Sequence, residues 1–168
     1  MLNRLGSMFR LSVCVCAISC AANARASSAN DTANLDRAKR DSVQHLVDEL
    51  KARLSIPQTV MVSMVTTNPR LLSVERAANQ ADVFVLSVEQ DFADVLSEQE
   101  MTAAVAHELG HVWIFTHFPF LQTEDLANDI AARVVSRDSF APLYEKVWKR
   151  TSEAQVVHQQ TGELRPLP

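Results

Sequence analysis

One stretch constrains this chain more than any other. Residues 103–115 read AAVAHELGHVWIF, and their only ionisable side chains are His107, Glu108 and His111. Upstream, Ser97-Glu98-Gln99-Glu100 forms a capping box, with Ser97 as N-cap and Glu100 at the third helical position. The spacing predicts a helix from there to about Thr116, ended by Pro119. A helix that is apolar on every face lies in a core. Three ionisable groups on it need partners, because an isolated buried charge costs several kcal/mol or is neutralised. His107 and His111 are four apart, so their rings project from one face and can hold one Zn²⁺. Glu108 lies about 100° round the helix, off that stripe but near it. A carboxylate there can take a proton from a water that zinc has acidified.

A zinc site of this kind wants a third protein ligand. Three residues downstream offer one. Glu124 opens EDLANDIAA, a predicted helix over Glu124–Arg137 with Thr123 as N-cap. Small residues at Ala127 and Ala131 would let that helix approach closely, and Glu124 is the preferred third ligand. His117 completes the ligand spacing of metzincins, but Ile114 stands where their turn glycine belongs, and no Met follows Met101 to build their methionine turn. Asp125 is the third candidate; an Asp ligand would resemble the aspzincins, whose flanking pattern is absent.

The chain of 168 residues is 47% hydrophobic and 21% charged, which suits one soluble globular domain and excludes collagen and low-complexity classes. A net charge of −4 without a basic block argues against nucleic acid as a partner. Arg4 and Arg10, the apolar run Leu11–Ser19 and the small-x-small site Ala24-Arg25-Ala26 have the order of a secretory signal peptide, residues 1–26. The alternative is a lipoprotein signal ending at Ser19, with Cys20 acylated as the only membrane tether. Either route implies export to the periplasm or cell envelope. Cleavage after Ala26 would remove Cys14, Cys16 and Cys20, the three cysteines of the chain, and with them disulfides and thiolate ligands.

Residues 27–34 read as a flexible leader and 35–160 as the folded domain, with a loose tail at 161–168. Within the domain, Leu35–Leu54 carries a helical stripe, and Val60–Thr66 and Val83–Val88 read as strands. A last helix fits Pro142 to about His158. Trp113 and Trp148 read as packing residues.

LSEQEMTAAVAHELGH, ending at His111, resembles the signature of gluzincin metallopeptidases, most closely the HtpX-like and CAAX-protease-like peptidases. Their second motif, E-x-x-A-D-x-x-A, falls on Glu124, Ala127, Asn128 and Ala131. The resemblance runs from about Val60 to Val135. It implies an α+β zincin-like domain: a short β-sheet packed on the HExxH helix, then a ligand helix. It implies one catalytic Zn²⁺ held by His107, His111 and Glu124, Glu108 as catalytic base, and a protein or peptide substrate. Asn128 stands where the family usually has the Asp that supports a ligand histidine; adjacent Asp129 is the other candidate for that support. The resemblance further implies that the strand Val83–Val88 binds an extended peptide by strand addition. The family holds the oxyanion with a later Tyr, His or Arg; Tyr144 and His158 are available, and neither is assigned that role. The rival reading is a non-catalytic zinc-binding interaction domain of the same fold.

Overall fold

The computed structural model describes residues 17–161, with side chains for residues 33–153. The charged start of the leader and Cys14, Cys16 and the tail 162–168 lie outside the described residues. So do the side chains of Cys20, Ala24, Ala26 and His158. The chain divides into two units, Met1–Arg37 and Ala38–Pro168.

Helix α1 spans Ala17–Arg53. It therefore runs helical through residues 27–34, where a flexible leader is expected. No Gly or Pro interrupts this span. In the second unit, Val43, Val47 and Leu50 form the buried stripe of α1, at the three- and four-residue spacing of one helix face. Between them on the exposed side of the stripe, Gln44 does something different. Its Nε2 donates to Val60 O at 2.9 Å and its Oε1 accepts from Val62 N–H at 2.8 Å. One side-chain amide thus takes the place of a neighbouring strand.

The strand it caps is β1 (Thr59–Val65). Strands β2 (Leu72–Arg76) and β3 (Val83–Glu89) complete a sheet of order β1-β3-β2, with β1 parallel and β2 antiparallel to β3. This corrects the expectation for Val83–Val88. β3 is central and paired on both sides, so it has no edge to offer a peptide. The strand with an open edge is β2, which the sequence pattern did not suggest: LSVER is five residues long and ends in two charges, too short for a clear alternation. Its entry is pinned by Asn68, which is buried. Asn68 Nδ2 donates to Ser73 Oγ and Ser87 O, both at 3.1 Å, and Oδ1 accepts from Arg70 N–H at 3.0 Å. Leu71 follows in the left-handed region at φ 66° with its side chain buried.

A short helix α2 (Gln90–Val95) leads to α3 (Glu98–His117), which crosses the core behind the sheet. Then come α4 (Glu124–Ala131), a 3-10 turn (Arg137–Ser139) and α5 (Phe140–Thr161). α4 stops short of the expected Arg137, because Arg133 N–H and Val134 N–H bond back three residues, to Ile130 O and Ala131 O, and tighten the chain into a turn. α5 begins before Pro142, which sits in the first turn where its missing N–H costs nothing. The architecture is α+β, as expected. Among the described residues no helix is long and apolar enough to cross a membrane.

The capping box forms as predicted. Ser97 Oγ accepts from Glu100 N–H at 3.3 Å, and Glu100 Oε2 accepts from Ser97 N–H at 2.7 Å. Lys146 of α5 joins the same oxygen at 2.6 Å. The Lys146 bond, then the Ser97 amide, hold the Glu100 carboxyl at about 2, against the opposing pull of burial. Two outcomes follow from this network. Ser97→Ala is expected to cost about 1 kcal/mol in urea unfolding at neutral pH. Because the folded carboxyl titrates lower than the unfolded one (4.5), its contribution to stability is complete above about pH 4.5. It fades as pH falls and is gone below about pH 2. The stability difference between wild type and Glu100→Gln should therefore shrink across that window; a difference that stays constant down to pH 2 would contradict it.

Candidate metal centre

α3 carries its apolar residues into the core on most sides, with Val105, Leu109, Val112 and Ile114 almost wholly buried. Its remaining face lines a cleft of about 600 Å³ closed off by β2 and α5. His107, Glu108 and His111 lie on that face, partly buried.

Three of the expected residues converge. His107 Nε2 and His111 Nε2 are 3.2 Å apart, Glu124 Oε2 is 3.1 Å from His107 Nε2, and Glu124 Oε1 is 3.6 Å from His111 Nε2. The His107, His111 and Glu124 donor atoms form one group within 4.8 Å, the one cluster of this kind among the described residues. The other faces of the rings decide what these atoms are. His107 Nδ1 meets Asn128 Oδ1 at 2.8 Å, and His111 Nδ1 meets Gln122 Oε1 at 3.1 Å. An amide oxygen only accepts, so each Nδ1 carries a hydrogen, and a ring holding that one hydrogen turns a bare lone pair inward from Nε2. Glu124 adds a carboxylate, also an acceptor. Three acceptors facing one point repel one another unless a cation lies between them. Donors bound tetrahedrally at zinc-like lengths stand about 3.3 Å apart, and the observed separations bracket that value. The residues present fit a divalent ion of the zinc type.

Glu108 has its carboxyl raised from its ordinary range, foremost by burial. The two histidines and a hydrogen bond from Val74 N–H on β2 pull the other way, and Glu124 adds a further push upward. Glu108 lines the cleft beside the cluster and is not a member of it.

The other candidates fall elsewhere. His117 stacks flat on Trp113, ring centroids 4.0 Å apart, with its Nδ1 against Trp113 O at 2.8 Å. It caps the helix end. Asp125 stands outside the cluster. Asp129 turns away to Arg137 at 2.7 Å, so Asn128 is the support of His107. Trp113 packs between His117 and Arg133, but Trp148 is 75% exposed and does not serve as a packing residue. Two residues were missed or left unassigned. Gln122 sits in the loop after α3, eleven positions from its partner, and no local pattern marks it. Tyr144 lines the cleft and its hydroxyl donates to Asn128 Oδ1 at 2.7 Å. Burial pushes that phenol up, against the Asn128 bond.

α4 reaches α3 because Gly110 has no side chain. A Cβ there would lie 2.5 Å from Ala127 O and 3.0 Å from Ala127 Cα.

No family model matches the chain. No curated protein matches it either. Among solved structures, the crystal structure of the metallopeptidase zymogen of Pyrococcus abyssi abylysin is similar, with a TM-score of 0.47 at 15% identity. The match covers 66% of this chain and 95% of that one.

Gly110→Ala should force α4 outward and carry Glu124 and Asn128 with it. Expected are a loss of about 1–3 kcal/mol in stability and weaker uptake of a divalent metal ion in a chelator competition. Unchanged metal affinity would mean that the helix contact does not set the site.

Proposed function

We propose that this protein is a zinc-dependent metallopeptidase of the gluzincin type, akin to the HtpX-like and CAAX-protease-like enzymes, and that it is exported to the cell envelope. The observation that carries the reading is the convergence of His107 Nε2, His111 Nε2 and the two oxygens of the Glu124 carboxylate, at separations of 3.1–3.6 Å. Glu108 beside them supplies the missing chemical part.

Bound zinc brings the pKa of water down to about 7 and polarises a carbonyl oxygen. The residues of this chain do the rest. His107 and His111 present lone pairs in fixed tautomers, and Glu124 neutralises one of the ion's charges. Glu108 takes the proton from the attacking water as its oxygen bonds to the scissile carbon. It then delivers that proton to the amine nitrogen as the C–N bond breaks. A carboxyl whose affinity for protons is raised by burial suits both halves of that transfer.

The substrate side is β2. Glu89 N–H bonds Leu71 O and Ala77 N–H bonds Val83 O, so the odd-numbered residues of β2 face β3. Leu72, Val74 and Arg76 therefore turn their backbone groups away from β3. Leu72 N–H goes to Arg70 O and Val74 N–H to Glu108, and the carbonyls of this edge with Arg76 N–H are left for an extended peptide to pair with. That edge, rather than β3, is where a protein substrate would be laid down.

The purified protein is expected to hold about one zinc ion per chain and to cleave casein or a peptide library. Glu108→Gln should keep the zinc and lose about 10²–10⁴-fold in rate, while His111→Ala should lose the zinc and the activity together. Wild-type protein that holds zinc and cleaves nothing would move the reading to a non-catalytic zinc-bound interaction domain. Protein that takes up no transition metal would end both.

A further inference from the structure

The two histidines are oriented by amides, and each amide is itself held by a second partner. Gln122 touches His111 twice. Its Oε1 meets Nδ1 at 3.1 Å and its Nε2 donates to His111 O at 3.2 Å. A carbonyl accepts only, so that second contact forces the NH₂ end onto the backbone and leaves the oxygen for the ring. Asn128 is held differently. Its Oδ1 accepts from His107 Nδ1–H at 2.8 Å and from the Tyr144 hydroxyl at 2.7 Å. Tyr144 comes from α5, and its ring is set by stacking against Phe140.

We propose that Gln122 and Tyr144 are positioning residues that lock the tautomers of the two histidines, Gln122 directly on His111 and Tyr144 through Asn128 on His107. The reasoning concerns what happens when a lock is removed. Without the Tyr144 hydroxyl, the Asn128 amide has one partner and can face it either way round. Reversed, its NH₂ donates to His107 Nδ1. The ring proton must then sit on Nε2, the atom whose lone pair faces His111 and Glu124. A ring in that tautomer cannot ligate. Loss of Gln122 likewise frees His111 to choose its tautomer, with no effect on His107.

This inference rests on the zinc reading for its consequence but not for its test. In metal-free protein at alkaline pH, nitrogen-15 spectra of the imidazoles report which nitrogen carries hydrogen. Wild type should show Nδ1–H on both rings. Tyr144→Phe should shift His107 towards Nε2–H and leave His111 alone, and Gln122→Ala should do the reverse. Backbone spectra confirm that each variant is folded, and the phenylalanine keeps the ring against Phe140. In a chelator competition, each variant should bind zinc about 10-fold more weakly. In an Asn128→Ala background, Tyr144→Phe should add nothing, whereas Gln122→Ala keeps its full effect. Unchanged tautomers in both variants would overturn the proposal. So would a Tyr144→Phe protein with wild-type zinc affinity and a fall in kcat alone, which assigns the hydroxyl to the substrate. If wild type shows the locked tautomers yet takes up no zinc, the peptidase reading fails and the locks stand.

Discussion

Everything at the site depends on two backbones being allowed to touch. Gly110 of α3 and Ala127 of α4 meet where a single added carbon would be in collision. From that contact the functional side chains are set out by the same offsets on both helices. His107 and His111 stand three before and one after Gly110. Glu124 and Asn128 stand three before and one after Ala127. Residues at those offsets flank the contact on one face of each helix. Bringing the backbones together therefore places Glu124 against both ring nitrogens and Asn128 behind one of them, with no further device. A side chain at position 110 would push the helices apart and lengthen those pairs.

Such proximity is not favourable in itself. Two imidazole lone pairs and a carboxylate aimed at one point, with a second carboxyl beside them, concentrate acceptors where donors are few. The fold resists the repulsion with the mass of the core behind α3, not with local ion pairs. The partners behind the histidines are neutral amides. Had Asn128 been a carboxylate, as in the proteins whose motif it resembles, the site would hold one more negative charge. The push on Glu108 from its neighbours would then be stronger. With an amide, orientation is supplied without that charge.

What the sequence disclosed and what it withheld divide along one line. α3 was readable because its signals are local: a cap at Ser97, an apolar run, and His107 and His111 one turn apart. Glu124 was already the preferred third ligand, because His117 lacks the turn glycine and methionine turn of its class and Asp125 its flanking pattern, and the helix contact at Ala127 is what brings its carboxylate to both rings. Asn128 against Asp129 was settled by Arg137, which draws Asp129 away. β2 escaped because its identity as a strand comes from pairing with β3, and LSVER has no alternation of its own. The edge it presents, and the loss of any edge on β3, are products of strand order, which no residue of Val83–Val88 encodes. Gln122 and Tyr144 act across loop and helix boundaries, and only coordinates bring them to their partners.

α5 is where stability and site converge. Leu143 and Phe140 anchor it in the core, Lys146 ties it to the cap of α3 through Glu100, and Tyr144, on the turn between, reaches Asn128. The start of α3 and its histidine-bearing middle are thus both held from one helix, by residues two apart along it. The Glu100–Lys146 pair is consequently more than a cap ornament. Together with the Lys146 bond to Val95 O and the Arg150–Glu89 pair, it helps hold α5 beside the start of α3. Since a hydrogen bond weakens steeply once its geometry is lost, whereas apolar contacts decline gradually with distance, a loosened cap would be felt first at Asn128 and His107 and only later in the packing.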